Sequence, residues 1–329
     1  KELMPLLKKE NQYSKANNMD KETLIQVHNN VKPYIHETPV LTSELINEIC
    51  DCHVYFKCEN FQKMGAFKMR GAINAIQNLT SKQKENGVVT HSSGNFAQAI
   101  SLASKYLNIK AYIVMPENAP QVKKDAVLNY QGIIVECKSN IKAREIEAER
   151  IVKNENATFI HPSNDDQVIL GQSTSAKELL EKQSDLDIIL TPVGGGGLLA
   201  GTALSAKYFS SNCEVIGAEP ENVDDAYRSL KSGKIEYNKN TSTIADGLRT
   251  NLGDRNFPII LENVKKIIRV SEEEIINAMK LVWERMKMVI EPSSAVPLAA
   301  LLKEKQNFKN KKVGIIISGG NVDLTNLPF

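Results

Sequence analysis

The chain has 329 residues, 42% hydrophobic and 24% charged, a globular composition long enough to bury a large core in roughly one to three domains. Eighteen glycines and twelve prolines exclude collagen-like and Gly/Pro-rich low-complexity classes. A net charge of +2 supplies no global field for nucleic-acid binding, and no apolar run approaches the roughly 18 residues of a membrane span. Five cysteines (Cys50, Cys52, Cys58, Cys137 and Cys213), an odd number over a long chain, argue against a disulfide scaffold. The opening Lys1-Glu2-Leu3-Met4 lacks a signal-peptide core, so the cytoplasm is the expected location, with residues 1–18 as an N-terminal extension.

In chain order, short β-branched runs alternate with amphipathic helical stretches. A helix-like stretch runs from Phe67 to Leu79. Val88-Val89-Thr90 precedes a helical run from Phe96 to Tyr106, and Ala111–Met115 precedes Gln121–Asn129. Ile133-Ile134-Val135 precedes Ile141–Lys153, and Thr158-Phe159-Ile160 closes the series. A second series opens with Asp187–Val193, passes four glycines into a helix predicted over Leu198–Phe209, and continues with the strand Glu214–Ala218. Ser271-Glu272-Glu273-Glu274 is a capping box opening a helix whose Ile275, Met279, Val282 and Met286 share one face. Lys312–Ile317 reads as a buried strand. Such alternation predicts an α/β fold of two domains, each an open, mostly parallel sheet flanked by helices, with a cleft between them. The pattern alone does not say which domain owns residues 19–87.

Three loops stand where a strand ends: Ser92-Ser93-Gly94-Asn95, Gly194–Gly197 and Ser318-Gly319-Gly320-Asn321. Open parallel sheets bind ligands at the carboxyl ends of their strands, so these loops are the predicted walls of a site. Glycines at a helix start let backbone N–H groups and the helix dipole reach a phosphate, and four in a row exceed what a turn needs. Gly195-x-Gly197-x-x-Ala200, with Glu219 at the next strand end, also fits a dinucleotide fingerprint, which keeps an NAD-binding Rossmann enzyme as a rival. Lys68, beside Phe67 at a helix start, sits where apolar neighbours and a positive helix end lower an amine's charge, as covalent catalysis requires; taken alone, the position reads as an exposed helix lysine. Cys50-Asp51-Cys52-His53 lacks a second ligand pair for zinc, and His28, His36 and His161 read as isolated structural histidines.

The chain resembles the fold-type II pyridoxal-phosphate enzymes, in the serine racemase and serine/threonine dehydratase family, from about Val31 to its end. The resemblance rests on Gly-Ala-Phe-Lys-Met-Arg-Gly-Ala (65–72), His-Ser-Ser-Gly-Asn (91–95), Pro-Val-Gly-Gly-Gly-Gly (192–197) and Ala-Glu-Pro (218–220). Ile-Ala-Asp-Gly (244–247), Glu-Pro-Ser (291–293) and Ser-Gly-Gly-Asn-Val-Asp (318–323) complete it. It implies a tryptophan synthase β-like fold, with a small mobile domain, 88–161, inserted in a large cofactor domain of 19–87 and 162–329. Lys68 matches the lysine that carries the cofactor, Phe67 the residue beside its ring, and Gly194, Gly195, Gly196 and Gly197 the phosphate cradle. Asn95 matches the partner of the cofactor's 3′-oxygen and Ser318 that of its pyridine nitrogen. Ser92, Ser93, Gly94 and Asn95 match the loop that holds the substrate carboxylate. A hydroxyl at the ring nitrogen cannot keep it protonated as Asp would, which favours β-elimination or rapid reprotonation over transamination.

The implied activity is interconversion of L- and D-serine, Lys68 and Ser93 handling the Cα proton on opposite faces, with elimination of serine to pyruvate and ammonia as a second outcome. A dehydratase of serine, threonine or threo-3-hydroxyaspartate without racemase activity is the alternative. Glu219, the Val223 carbonyl and Asp225 match the family's site for Mg²⁺, or Ca²⁺ or Mn²⁺. A homodimer is expected, and ATP as an allosteric activator, although Met64 replaces a common Thr near the effector site. Phe96-Ala97 replaces the usual His-Gly, and Ser163-Asn164-Asp165 also departs from the family pattern.

Overall fold

A computed structural model describes residues 19–329; the expected N-terminal extension lies outside the described residues. The strands are β1 (Val40–Leu41), β2 (His53–Cys58), β3 (Val88–His91), β4 (Ala111–Pro116), β5 (Ile133–Cys137), β6 (Thr158–Phe159), β7 (Ile188–Pro192), β8 (Glu214–Pro220), β9 (Val264–Val270) and β10 (Lys312–Ile317). They form two sheets, β1-β2-β10-β7-β8-β9 and β5-β4-β3-β6. Every pairing is parallel except β1 with β2. The architecture is therefore α/β, with two mostly parallel sheets flanked by helices.

Strand order positions the site. The last strand, β10, inserts between β2 and β7, pairing Ile317 with Cys58 and Ile315 with Leu190. The loops after β7 and β10 thus leave neighbouring strands at their carboxyl ends, which brings the glycine run beside Ser318. The loop Ser92–Asn95 leaves the carboxyl end of β3, in the other sheet, and leads into the helix Asn95–Tyr106.

Several elements form where the periodicity points. Ser271 and Glu274 exchange both capping-box hydrogen bonds, opening the helix Glu272–Met286. Two long helices that the sequence reading does not mark are buried almost all round. In Asp166–Lys182, every residue from Gln167 to Leu180 is buried; in Pro292–Lys303, every residue from Pro292 to Leu301 is buried, with Pro297 in its interior. The helix predicted over Phe67–Leu79 is Lys68–Gln77. Cys50 and Cys52 are buried free thiols while His53 is exposed, and no group of three or more His, Cys, Asp or Glu poised for a metal occurs among the described residues. No helix among them is long and apolar enough to cross a membrane.

Candidate active site

Lys68 opens the helix Lys68–Gln77, and its Nζ donates to the carbonyl of Pro162 at 2.8 Å. The amine lies 4.9 Å from the Phe67 ring centre and 5.6 Å from that of Phe96. Burial among these groups lowers its pKa to about 8, against a smaller opposing pull from Glu291. Phe96 is buried in the first turn of the helix Asn95–Tyr106, so the lysine faces the start of that helix. That helix has no side-chain cap, and a Cβ placed on Gly94 would meet no atom within 4 Å: the Ser92–Asn95 loop borders open space.

A polar junction ties the loops together. Asn95 Nδ2 donates to both carboxylate oxygens of Glu291 at 3.0 Å, and its Oδ1 accepts from Asn321 Nδ2 at 2.9 Å. Glu291 is buried, which raises its pKa to about 7 despite the Asn95 bond. Ser318, also buried, pairs its hydroxyl with Ser294 Oγ at 2.9 Å, and its carbonyl accepts the Phe67 N–H at 3.0 Å. Ser318 and Lys68 are thereby one backbone hydrogen bond apart.

The glycine run leads into the helix Gly197–Phe209, whose N-cap, Gly196, has φ +82° and supplies no capping side chain. The crowding expected of a phosphate cradle proves to be partly the protein's own. A Cβ on Gly195 would lie 2.2 Å from Ser163 Oγ, one on Gly194 2.8 Å from Leu248 Cα, and one on Gly197 2.7 Å from Gln172 Oε1. Close packing explains the glycines as well as ligand binding does. The uncapped helix start still points to an anion. So does the fully buried Gln172, whose amide oxygen and nitrogen make no hydrogen bond beside Gly197. Asn256 Nδ2 reaches the carbonyls of Gly195 at 2.8 Å and Ser163 at 3.1 Å, linking this loop to the segment that holds Lys68.

Glu219 and Asp225 do come together. Both are fully buried, and desolvation together with the Asp225 charge raises the Glu219 carboxyl well above its usual range. Asp225 rises to about 6, chiefly through burial. Glu219 accepts the Ala226 and Tyr227 N–H groups at 3.1 and 2.9 Å, and Asp225 accepts from Asn238 and Leu252. So enclosed, Glu219 is beyond reach of a ribose, which removes the second half of the dinucleotide fingerprint. Two buried carboxylates, close enough that the Asp225 charge raises the Glu219 pKa, near the buried Val223, are the hard oxygen donors a divalent cation takes.

Sequence reasoning missed two residues of the site. His161 reads as isolated but precedes Pro162; its Nδ1 accepts the N–H groups of Ser163 and Asn164 at 3.1 and 2.8 Å. Burial first, then His91 and Lys68, lowers its pKa to about 3, so it stays neutral. Glu291 was only part of a motif, without a role; its position between strand ends marks it. Both join the site through space, with no local spacing to reveal them.

A desolvated lysine amine facing anion-binding loops at strand ends is the common equipment of enzymes that bind a phosphorylated aldehyde cofactor through lysine, and that is the class this fold and site define. The pyridoxal-phosphate dependent enzyme family matches residues 31–319, and the chain belongs to it. Serine racemase of Dictyostelium discoideum is 52% identical over 308 residues, covering 92% of this chain and 94% of its own. The beta-hydroxyaspartate dehydratase of Paracoccus denitrificans is 46% identical over 308 residues, covering 94% and 98%. The crystal structure of the Dictyostelium racemase superposes with a TM-score of 0.89 at 51% identity, over 93% of this chain and 100% of that one.

Proposed function

We propose that this enzyme interconverts L- and D-serine and also eliminates water from serine, giving pyruvate and ammonia. The observation that carries the reading is the pairing of a neutral-tuned amine, Lys68, with a hydroxyl-bearing loop, Ser92–Asn95, across the Phe96 contact at the start of one helix. The relatives named serine racemase support it. Bound at Lys68, pyridoxal phosphate supplies an electron sink for charge at the substrate's Cα. Gly194–Gly197 and the uncapped helix start would hold its phosphate, Ser318 its ring nitrogen, and Asn95 its 3′-oxygen. The N–H groups and hydroxyls of Ser92–Asn95 bind the substrate carboxylate. Lys68 takes or returns the Cα proton on one face, and Ser93 on the other. Phe67 and Phe96 exclude water, which brings the amine to half neutral near pH 8.

Glu219, the Val223 carbonyl and Asp225 hold Mg²⁺ or a similar cation in this reading, supported by the enclosed carboxylate pair. A cytoplasmic location belongs to this reading as well; a homodimer, ATP as activator and a mobile 88–161 domain do so on the strength of the family resemblance. A dehydratase of serine, threonine or threo-3-hydroxyaspartate without racemase activity is the second reading, favoured for 3-hydroxyaspartate by the Paracoccus relative. Incubation with L-serine, followed by chiral chromatography and a coupled pyruvate assay, separates the two. D-serine must appear. Pyruvate without D-serine, or turnover of 3-hydroxyaspartate alone, gives the second reading.

A further inference from the structure

Arg70 lies two residues beyond Lys68 in the same first helical turn and is fully buried. Its guanidinium grips two buried carboxylates. Nε and Nη2 donate to the two oxygens of Glu59 at 2.7 and 2.9 Å; Nη1 and Nη2 donate to those of Glu178 at 2.8 and 2.7 Å. Nη1 also reaches Thr174 Oγ1 at 3.1 Å. Lys57, again fully buried, donates to Glu178 at 2.6 Å, so two cations balance two anions inside the larger sheet's helical cover.

Stability does not explain this cluster. Removing each charge from water costs several kcal/mol, and apolar side chains of equal volume often serve stability as well or better. Forked, bidentate contacts supply direction instead. Glu59 leaves the sheet straight after β2, whose Cys58 pairs with Ile317 of β10, the residue before Ser318. Phe67 N–H bonds the Ser318 carbonyl, and Ala66 bridges Gly319. Arg70–Glu59 closes this into a ring: the end of β2, the end of β10, and the turn that carries Lys68. Glu178 anchors the ring to the helix Asp166–Lys182.

We infer that Arg70, with Glu59 and Glu178, is a positioning residue that fixes Lys68 relative to Ser318, and so the cofactor's aldehyde end relative to its ring nitrogen. The inference rests on the proposed role of Lys68. Two variants of the holoenzyme test it. Lys57→Met/Glu59→Leu/Arg70→Met/Glu178→Leu replaces the cluster with apolar volume; Arg70→Lys keeps the charge and loses the fork. Melting temperature, cofactor absorbance, visible circular dichroism of the cofactor band, kcat and KM for L-serine are read for each. The fourfold variant should melt near wild type and hold cofactor, yet show a weakened or altered dichroic band. Its kcat should fall roughly tenfold or more, the scale of loss when a reacting group shifts by a fraction of an ångström. Arg70→Lys should move both readouts in the same direction, with KM changed less than kcat. Folded variants with wild-type dichroism and kcat overturn the inference. Where the fourfold variant does not fold, Arg70→Lys alone decides by the same criterion. A wild-type protein without a cofactor band overturns the functional reading and this inference with it; a banded wild type with indifferent variants overturns this inference alone.

Discussion

Lys68 carries its amine between Phe67 and Phe96, where the Pro162 carbonyl accepts its hydrogen bond. Desolvation disfavours the ammonium more than the buried Glu291 restores it, so the neutral form, the one that attacks an aldehyde, prevails above about pH 8. The sign is that of a depressed base: lowering the pH through 8 protonates the amine and slows attack. Apoenzyme should therefore capture added pyridoxal phosphate at a rate that rises with pH through a midpoint near 8, followed as growth of the cofactor band. A midpoint near that of free lysine would contradict the pocket's effect on the amine. The lysine could be singled out from the motif at 65–72, since its apolar neighbour and helix start alone also fit an exposed helix lysine. His161 and Glu291 could not. Each enters the site through a fold-level contact, His161 by way of the Pro162 carbonyl and Glu291 by way of Asn95.

Strands such as β4 and β10, and the capped helix Glu272–Met286, could be read directly because a short continuous β-branched run or a capping box is a local pattern. The helices Asp166–Lys182 and Pro292–Lys303 left none. Buried on every side over most of their length, they lack the exposed face that makes a helix easy to read, and the interior Pro297 argues against helix by itself. The glycine run showed its place but only half its cause, since Ser163, Leu248 and Gln172 crowd it as tightly as a ligand would. At the end of β8, Glu219 and Asp225 are enclosed together at the start of the helix Asp225–Ser232. A cation held there would bind the native chain and not the unfolded one, and a hundredfold excess over Kd would add about 2.7 kcal/mol of stability. Melting in millimolar Mg²⁺ should exceed melting in excess chelator by several degrees, and Glu219→Gln should abolish the difference. Equal melting temperatures for the wild type would remove the metal from the proposal.

Taken whole, the molecule sets the ends of three strands, two in one sheet and one in the other, around a single lysine. Phe67 N–H ties Lys68 to Ser318 after β10, Asn256 ties the loop after β7 to Ser163, and Asn95 after β3 reaches Glu291 and Asn321. The ion pair of Lys123 with Asp246, at 2.8 Å, joins the helix Gln121–Asn129 to the turn Asp246–Leu248 across the same region. In the proposed function two groups, Lys68 and Ser93, serve the two faces of one Cα. Elimination needs one base and a leaving hydroxyl; racemisation needs a proton donor on the other face as well. The direct measurement is the product ratio of Ser93→Ala with L-serine, D-serine by chiral chromatography and pyruvate by coupled assay in one tube. Ser93→Ala should lose D-serine formation almost entirely while pyruvate formation stays within about tenfold of wild type, roughly 1.4 kcal/mol of barrier. Continued racemisation by Ser93→Ala, or equal loss of both products, would contradict it.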